Sequence, residues 1–139
     1  MKNTITIKME GVIENSNKSR GVESEIVRSP YARYFDSRNP AWNKDVEFNK
    51  MFLVQQQTYA NAALVNKKYL FLNDVYDMLG FPRTKAGQVV GWVYDENNAI
   101  GDNYIDFGIF NEDNTDFVNG CENAVWLDFN VDGMILDRI

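Results

Sequence analysis

The 139-residue sequence contains no histidine and a single cysteine, Cys121. Histidine is the commonest general base and the commonest transition-metal ligand, so catalytic triads and dyads that depend on it are excluded. One cysteine without histidine excludes an internal disulfide and a Cys/His zinc site. The glycine patterns of phosphate-binding and dinucleotide-binding loops are also missing. We therefore expect a protein that acts without catalysis and without a cofactor or metal.

Long apolar runs are missing as well. No stretch approaches the roughly 18 residues that a membrane-spanning helix needs. The first residues, MKNTITIK, lack the apolar stretch of a secretion signal. Together with the lone cysteine, these features predict a cytoplasmic protein with no membrane partner.

What the chain does contain is typical of a folded domain. Apolar residues make up 45% and aromatic residues 14% of the sequence, which is enough to bury a core. We expect one domain over residues 1–139. Its first 24 residues would form a strand, predicted from the period-two alternation of Thr4–Glu10, and a flexible polar loop. Residues 25–139 would form the core of the domain.

Helices are predicted in the middle of the chain. The longest, residues 43–67, has Asp45 and Glu47 at its start and lysines at its end, as the helix dipole favours. A second helix is predicted over residues 72–80, with Asn73 as N-cap and Gly80 after its last turn. Thr84 is expected to cap one further turn. The core-facing stripe of the long helix is predicted from i, i+3, i+4 spacing to be Phe48, Met51, Phe52, Gln55, Tyr59, Ala62 and Ala63.

The last third alternates with period two and predicts strands, at residues 105–109 and 125–131. Trp92 to Tyr94 would begin another strand. Asp132 and Gly133 fit a tight hairpin turn better than a calcium-binding loop, because the position of the bidentate glutamate is occupied by Ile139. The predicted fold class is α+β: an antiparallel sheet with one long and one or two short helices packed on one face.

Charge is distributed unevenly. Residues 1–94 carry 13 Lys and Arg against 9 Asp and Glu, whereas residues 95–139 carry 11 acids and only Arg138. An acidic surface repels nucleic acid, so no direct nucleic-acid binding is expected. It could attract a basic protein surface by imitating DNA, or it could serve solubility alone. The candidate partner-binding acids are Asp95, Glu96, Asp102, Asp106, Glu112, Asp113 and Asp116.

Aromatic and basic residues are interleaved in the first two thirds of the chain. This pattern suits either single-stranded nucleic acid or a protein interface, and the acidic net charge of −6 favours the protein. Dispersed charge over a buried aromatic cluster is the alternative. Tyr31, Tyr34 and Trp42 are added to the candidate partner-binding residues. The other members of the pattern are Trp92, Arg28, Arg33, Arg38, Lys44, Arg83 and Lys85.

Paired carboxylates leave one route to enzymatic function open. If the predicted strands pair, Asp106 and Asp128 share one face of the sheet, where Mg²⁺ or Ca²⁺ could bind and support hydrolysis. Carboxylates on the solvent face of an antiparallel sheet are the ordinary alternative.

Several blocks resemble an uncharacterised family of proteins from bacteriophages and prophages of Firmicutes. They are SPYARYFD at residues 29–36, FLNDVYDMLG at 71–80, GWVY at 91–94, GDNYIDFG at 101–108 and LDFNVDG at 127–133. The resemblance covers roughly residues 25–139 and implies a phage or mobile-element origin and a location in the host cytoplasm. It assigns no activity to any residue.

Small size, acidity and the missing catalytic residues favour a phage accessory protein that binds and inhibits a host protein. That protein could be a nucleic-acid-binding defence factor such as a CRISPR nuclease. The alternatives are a phage structural or assembly component, including a self-associating homo-oligomer, and the carboxylate-metal hydrolase.

Overall fold

A computed structural model of the chain describes residues 27–139. The chain divides into two units, residues 1–31 and residues 32–139. Within the described end of the first unit, the Tyr31 amide donates to Ser29 Oγ at 3.2 Å. The predicted strand Thr4–Glu10 and the polar loop after it lie outside the described residues.

The long helix, α1, spans Val46–Lys67 and confirms the predicted helix to within three residues. Asp45 is the N-cap, and its carboxylate accepts a hydrogen bond from the Glu47 amide at 3.0 Å. At the other end Lys68 adopts a left-handed conformation, with φ of 77°, and its amide donates to Leu64 O at 2.7 Å. Local capping chemistry therefore sets both limits of α1.

The predicted core stripe of α1 is wrong. The residues that α1 buries are Asn49, Leu53, Ala60 and Leu64. Most of the predicted stripe is exposed, and only Phe52 and Ala63 are half-buried. Apolar side chains occur on both sides of α1, so apolar spacing alone could not identify the buried side.

The second helix, α2, spans Leu72–Leu79 and ends at Gly80, which has φ of 85°. The predicted N-cap is wrong, because Asn73 is buried and bonds both the amide and the carbonyl of Thr84 at 2.9 Å. Asp74 serves the start of the helix instead and accepts a hydrogen bond from the Phe71 amide at 3.2 Å. The predicted further turn is a 3-10 helix, Ala86–Gln88, in which Thr84 Oγ1 accepts a hydrogen bond from the Gly87 amide.

The strands are short and antiparallel, which confirms the α+β class. They form two sheets: β1 pairs with β4, and β3 pairs with both β2 and β5. Tyr34 lies opposite Trp126 in the first sheet, and Gly91 lies opposite Phe71 and Gly133 in the second. The strand limits are Arg33–Phe35 for β1, Tyr69–Phe71 for β2, Val90–Val93 for β3, Val125–Leu127 for β4 and Gly133–Met134 for β5.

Residues 105–109 do not form the predicted strand, although the residues expected to face the core are buried. Their backbone hydrogen bonds go largely to side chains. Asn61 of α1 accepts from the Ile105 amide at 2.8 Å and donates to its carbonyl at 2.9 Å. Gln57 accepts from the Phe107 amide at 2.8 Å. Side-chain amides thus replace one neighbouring strand.

The predicted hairpin at Asp132 and Gly133 is also wrong. β4 ends at Leu127, earlier than expected, and β5 pairs with β3 rather than with β4. The Asp132 amide donates to Gly91 O at 2.9 Å, which brings the chain alongside β3. The chain then ends in a 3-10 helix, Leu136–Arg138.

The core of the second unit combines aromatic and aliphatic side chains. Trp92, Tyr76, Phe35, Phe107 and Phe117 are its largest fully buried side chains. None of the helices within residues 27–139 combines the length and the apolar character needed to cross a membrane.

Candidate protein-interaction surface

The first group of predicted acidic residues lies in the loop after β3: Asp95, Glu96, Asp102 and Asp106. Several of these carboxylates hold the loop in place. Asp95 accepts a hydrogen bond from the Asn97 amide at 3.0 Å, and Asp106 accepts one from the Gly108 amide at 2.8 Å. Asp102 accepts from Asn130 Nδ2 at 2.9 Å. This group therefore has a structural role in addition to its charge.

Asp132 lies against this loop, and its Oδ2 accepts a hydrogen bond from the Val93 amide at 2.9 Å. Burial raises the pKa of Asp132 above its ordinary value of 3.8. The hydrogen bond from Val93 opposes this rise, and the nearby charge of Asp102 adds to it. In contrast, the hydrogen-bonded Arg83 guanidinium lowers the pKa of the exposed Asp77.

The pKa of Asp132 should lie above the ordinary aspartate value of 3.8, and that of Asp77 should lie below it. Carbon-13 NMR of the side-chain carboxyl groups should give a higher midpoint for Asp132 than for Asp77. Because the folded state holds the Asp132 proton more tightly than the unfolded chain, protonation of Asp132 adds stability as the pH falls through its raised pKa. The stability that the Asp77–Arg83 pair contributes is present above the ordinary pKa of Asp77 and is lost as the pH falls through its lowered pKa. Equal midpoints would contradict this description.

The second group of predicted acidic residues, Glu112, Asp113 and Asp116, is exposed on one short helical segment. The segment consists of a 3-10 helix, Glu112–Asn114, followed by α3, Thr115–Val118. Buried Asn114 anchors it, because its side chain bonds the carbonyl of Gly108 and both backbone polar groups of Trp126. Phe117 is only 1% exposed. The carboxylates are therefore presented on a backbone that the core holds fixed.

This segment lies beside the first turn of α1. Lys50 Nζ donates to Val118 O at 2.8 Å and pairs with Glu47 at 2.9 Å. The Glu122 amide donates to Asp116 O at 3.1 Å, which folds exposed Glu122 back against α3. We call the four acids Glu112, Asp113, Asp116 and Glu122 the acidic end.

The predicted aromatic residues stabilise the fold. The Tyr34 ring lies 5.0 Å from the Trp126 ring across β1 and β4. Trp42 donates its indole N–H to Asn123 O at 2.8 Å, next in the chain to Glu122 of the acidic end. Both aromatic side chains are half-buried. Tyr31, also half-buried, belongs to the unit of residues 1–31.

Three of the predicted basic residues have partners within the fold. Arg38 pairs with Asp36 at 2.9 Å and Arg83 pairs with Asp77 at 2.7 Å. The guanidinium of Arg33 lies 5.0 Å from the centre of the Tyr76 ring. The charges of Arg38 and Arg83 are therefore matched by carboxylates, and Arg33 makes a cation–π contact within the fold.

The proposed carboxylate-metal site gains no support from the geometry. Within residues 27–139, no three Asp, Glu, Cys or His side chains come together in an arrangement that could hold a metal ion. The Asp106 carboxylate accepts a hydrogen bond from the Gly108 amide. An open groove of about 400 Å³ lies elsewhere, and the side chains of Asn73, Asp74, Arg83 and Thr84 that line it make hydrogen bonds within the fold. The groove is lined by Phe71, Asn73, Asp74, Arg83, Thr84 and Gln88.

Sequence reasoning missed an apolar surface on α1. Its largest exposed side chains are Phe48, Met51, Val54, Tyr59 and Val65, and Met51 is 71% exposed. We call this surface, together with exposed Gln55, Thr58 and Ala62, the outer face of α1. The sequence does contain these residues in regular spacing, but that spacing predicts a core-facing stripe, whereas the structure exposes it.

Comparison with known families gives one result. A family model described as a family of unknown function, DUF6353, matches residues 2–139. The match begins well before residue 25, so it includes the N-terminal residues that the resemblance left out. No curated protein and no solved structure matches the chain. The chain therefore belongs to DUF6353, a family of unknown function.

Proposed function

We propose that this chain is a non-enzymatic accessory protein of a phage or mobile element that binds and inhibits a host protein. The observation that carries the proposal is the acidic end, whose exposed carboxylates are mounted on a segment anchored by Asn114 and Phe117. A backbone already held by the core loses little conformational entropy on binding, and the like charges that it carries attract a basic partner over a long range.

The charge of the array selects the class of partner. The four carboxylates of the acidic end, in a segment (residues 95–139) that holds eleven acids and one arginine, repel the phosphates of nucleic acid. They complement a protein surface rich in Lys and Arg, such as the nucleic-acid channel of a host defence nuclease. Occupying such a channel would inhibit the enzyme without any chemistry from this chain.

Several sequence features support the biological setting of the proposal. The blocks at residues 29–36, 71–80 and 101–108 resemble proteins of Firmicutes phages and prophages. The lone Cys121 suits the reducing cytoplasm of a bacterial host. Phage origin, a Firmicutes host and a cytoplasmic location are therefore parts of this proposal.

Affinity capture from a Firmicutes lysate tests the proposal. The double substitution Glu112→Lys and Asp116→Lys reverses two exposed charges at the acidic end without removing a buried contact. We expect the wild-type chain to retain a host protein saturably, and the variant to retain at least tenfold less of it at low salt.

A matched control makes the same change in net charge at two positions outside the acidic end. Glu96→Lys with Asp137→Lys also reverses two exposed acids, both outside the acidic end. This control should retain most of the binding. Equal losses in the two variants would mean that net charge alone governs capture, and the acidic end would lose its assigned role.

Self-association is the second candidate function, because the outer face of α1 is an exposed apolar strip on a long, regular helix. Charge at the acidic end does not account for that strip. An apolar strip suits a partner surface that is apolar rather than basic.

A further inference from the structure

Asparagine or aspartate directly precedes glycine at two positions in the sequence, Asn119–Gly120 and Asp132–Gly133. Asparagine is one of the thermolabile residue types. Its side-chain carbonyl carbon can be attacked by the backbone nitrogen of the next residue, and aspartate can react in the same way. Glycine in the second position hinders the attack least, because it has no Cβ and adopts many backbone conformations. The structure gives the two positions different surroundings.

The Asp132–Gly133 position is held by the sheet. Asp132 Oδ2 accepts a hydrogen bond from the Val93 amide at 2.9 Å, and the Asp132 amide donates to Gly91 O at 2.9 Å. Gly133 lies in β5 and pairs with Gly91 of β3. Rotation about the Asp132 backbone would break this pairing, so the fold protects Asp132 from attack by its neighbour.

The Asn119–Gly120 position lies in an exposed turn. All four residues from 119 to 122 are exposed. Within residues 27–139, the Asn119 side chain makes no hydrogen bond. A Cβ added to Gly120 would approach nothing closer than 3.6 Å, so the space beside its backbone is open. Phe117, the nearest fully buried side chain, anchors the segment before this turn and not within it.

The turn must open before Asn119 can react. Ring closure needs the Gly120 nitrogen on the Cβ side of Asn119, whereas a ψ of −2° places it beside the Asn119 nitrogen. The Gly120 amide also donates to Phe117 O at 3.0 Å. One hydrogen bond must therefore break while ψ of Asn119 rotates. Opening of this kind costs little in an exposed turn that buries no side chain, so the native protein visits it without global unfolding.

We propose that Asn119 is a site of spontaneous deamidation in the folded protein. The Gly120 nitrogen bonds to Cγ of Asn119, and the side-chain nitrogen leaves as ammonia, taking up the proton that the Gly120 amide loses. The product is a succinimide ring, which water opens with no change in oxidation state. Cleavage of the bond from nitrogen to Cγ gives aspartate, and cleavage of the bond from nitrogen to the backbone carbonyl carbon gives isoaspartate.

Both products add a negative charge beside the acidic end, but they differ in the backbone. Aspartate leaves the main chain unchanged. Isoaspartate adds one carbon atom to the main chain between residues 119 and 120. The Cys121 and Glu122 amides both donate to Asp116 O, at 2.7 and 3.1 Å, and the longer chain should break this pair of bonds and move Glu122 away from α3. An effect of either product on host binding rests on the proposed function, whereas the reaction at Asn119 does not.

Peptide mapping by mass spectrometry, after incubation of the full chain at neutral pH in heavy-oxygen water, tests the proposal. Aspartate and isoaspartate should accumulate at Asn119, each carrying one heavy oxygen atom from the opening of the ring. The rate should exceed that at Asn66 and Asn98 by about tenfold or more, because these exposed asparagines precede lysine and alanine. Conversion of Asn119 no faster than that of Asn66 and Asn98 would overturn the proposal.

Asn119→Gln is the matched variant, since it keeps an exposed, uncharged amide but requires a larger ring that forms more slowly. The variant should keep the wild-type circular dichroism spectrum and show almost no conversion at this position. Asp132 provides an internal control and should form no isoaspartate while the sheet is intact. Equal isoaspartate at Asp132 and Asn119, or conversion of Asn119 only in denaturant, would contradict a reaction of the exposed turn in the folded protein.

Discussion

Asn49→Ala should destabilise the fold by about 3 kcal/mol, since it removes the three hydrogen bonds that this buried side chain makes. The Asn49 side chain is fully buried. It accepts from the Asn43 amide at 2.9 Å, donates to the Asn43 carbonyl at 2.7 Å and donates to Asn123 Oδ1 at 2.7 Å. It thus connects α1 to the segment before it and to the approach to β4. Chemical denaturation measures the loss.

Asn49→Asp should be at least as destabilising at neutral pH. A carboxylate has nearly the same size but cannot donate to the Asn43 carbonyl or to Asn123 Oδ1. Asn66→Ala provides the control, because Asn66 is exposed near the end of the same helix. It should change stability by less than about 0.5 kcal/mol. Similar losses of stability for Asn49→Ala and Asn66→Ala would show that the hydrogen bonds of Asn49 do not stabilise the fold.

Gly91→Ala should be the most damaging single-methyl substitution in the sheet. An added Cβ would lie 2.1 Å from Leu70 O and 2.8 Å from Phe71 Cα, and both are backbone atoms of the neighbouring strand β2. Because Gly91 lies on the central strand of its sheet, β2 and β3 cannot separate without loss of pairing. We expect a loss of about 3 kcal/mol or more, or failure to fold.

Gly120→Ala separates steric contact from the general effect of losing a glycine. Gly120 has φ of 81°, and an added Cβ would approach nothing closer than 3.6 Å. Backbone strain alone should destabilise this variant by about 1 kcal/mol. If Gly91→Ala lost no more stability than Gly120→Ala in chemical denaturation, the close approach of β2 and β3 would be contradicted.

Local signals explain what the sequence could predict. The left-handed residue after α2 is set by its neighbours in the chain, so Gly80 could be read directly. Asp45 was predicted to lie in the first turn of α1, and the structure places it one residue before the helix, as the N-cap. The strand at Val125–Leu127 was visible from alternation, and so was the burial of Ile105 and Phe107.

Long-range side-chain bonds explain the errors. Asn61 and Gln57 of α1 take up the backbone groups of residues 105–107, and no local pattern identifies such a pairing. The prediction of which side of α1 is buried was wrong for a related reason. Its buried side includes the polar Asn49, while the exposed side carries Phe48 and Met51, which inverts the usual rule.

The candidate site could be predicted only in part. The sequence identified the acidic residues, but it could not show that Asp95 and Asp106 bind neighbouring amides while Glu112 and Asp116 remain exposed. The aromatic candidates Tyr34 and Trp42 contribute to the fold through contacts with residues far along the chain. Burial and hydrogen bonding decide these roles, and both depend on the tertiary structure.

The most direct test of the proposed function is the salt dependence of host-protein capture by the wild-type chain and by the Glu112→Lys, Asp116→Lys variant. If the acidic end makes the contact, wild-type binding should weaken steeply as salt rises, and the variant should bind weakly with a shallower slope. Parallel slopes and equal affinities for the two proteins would contradict recognition through the acidic end.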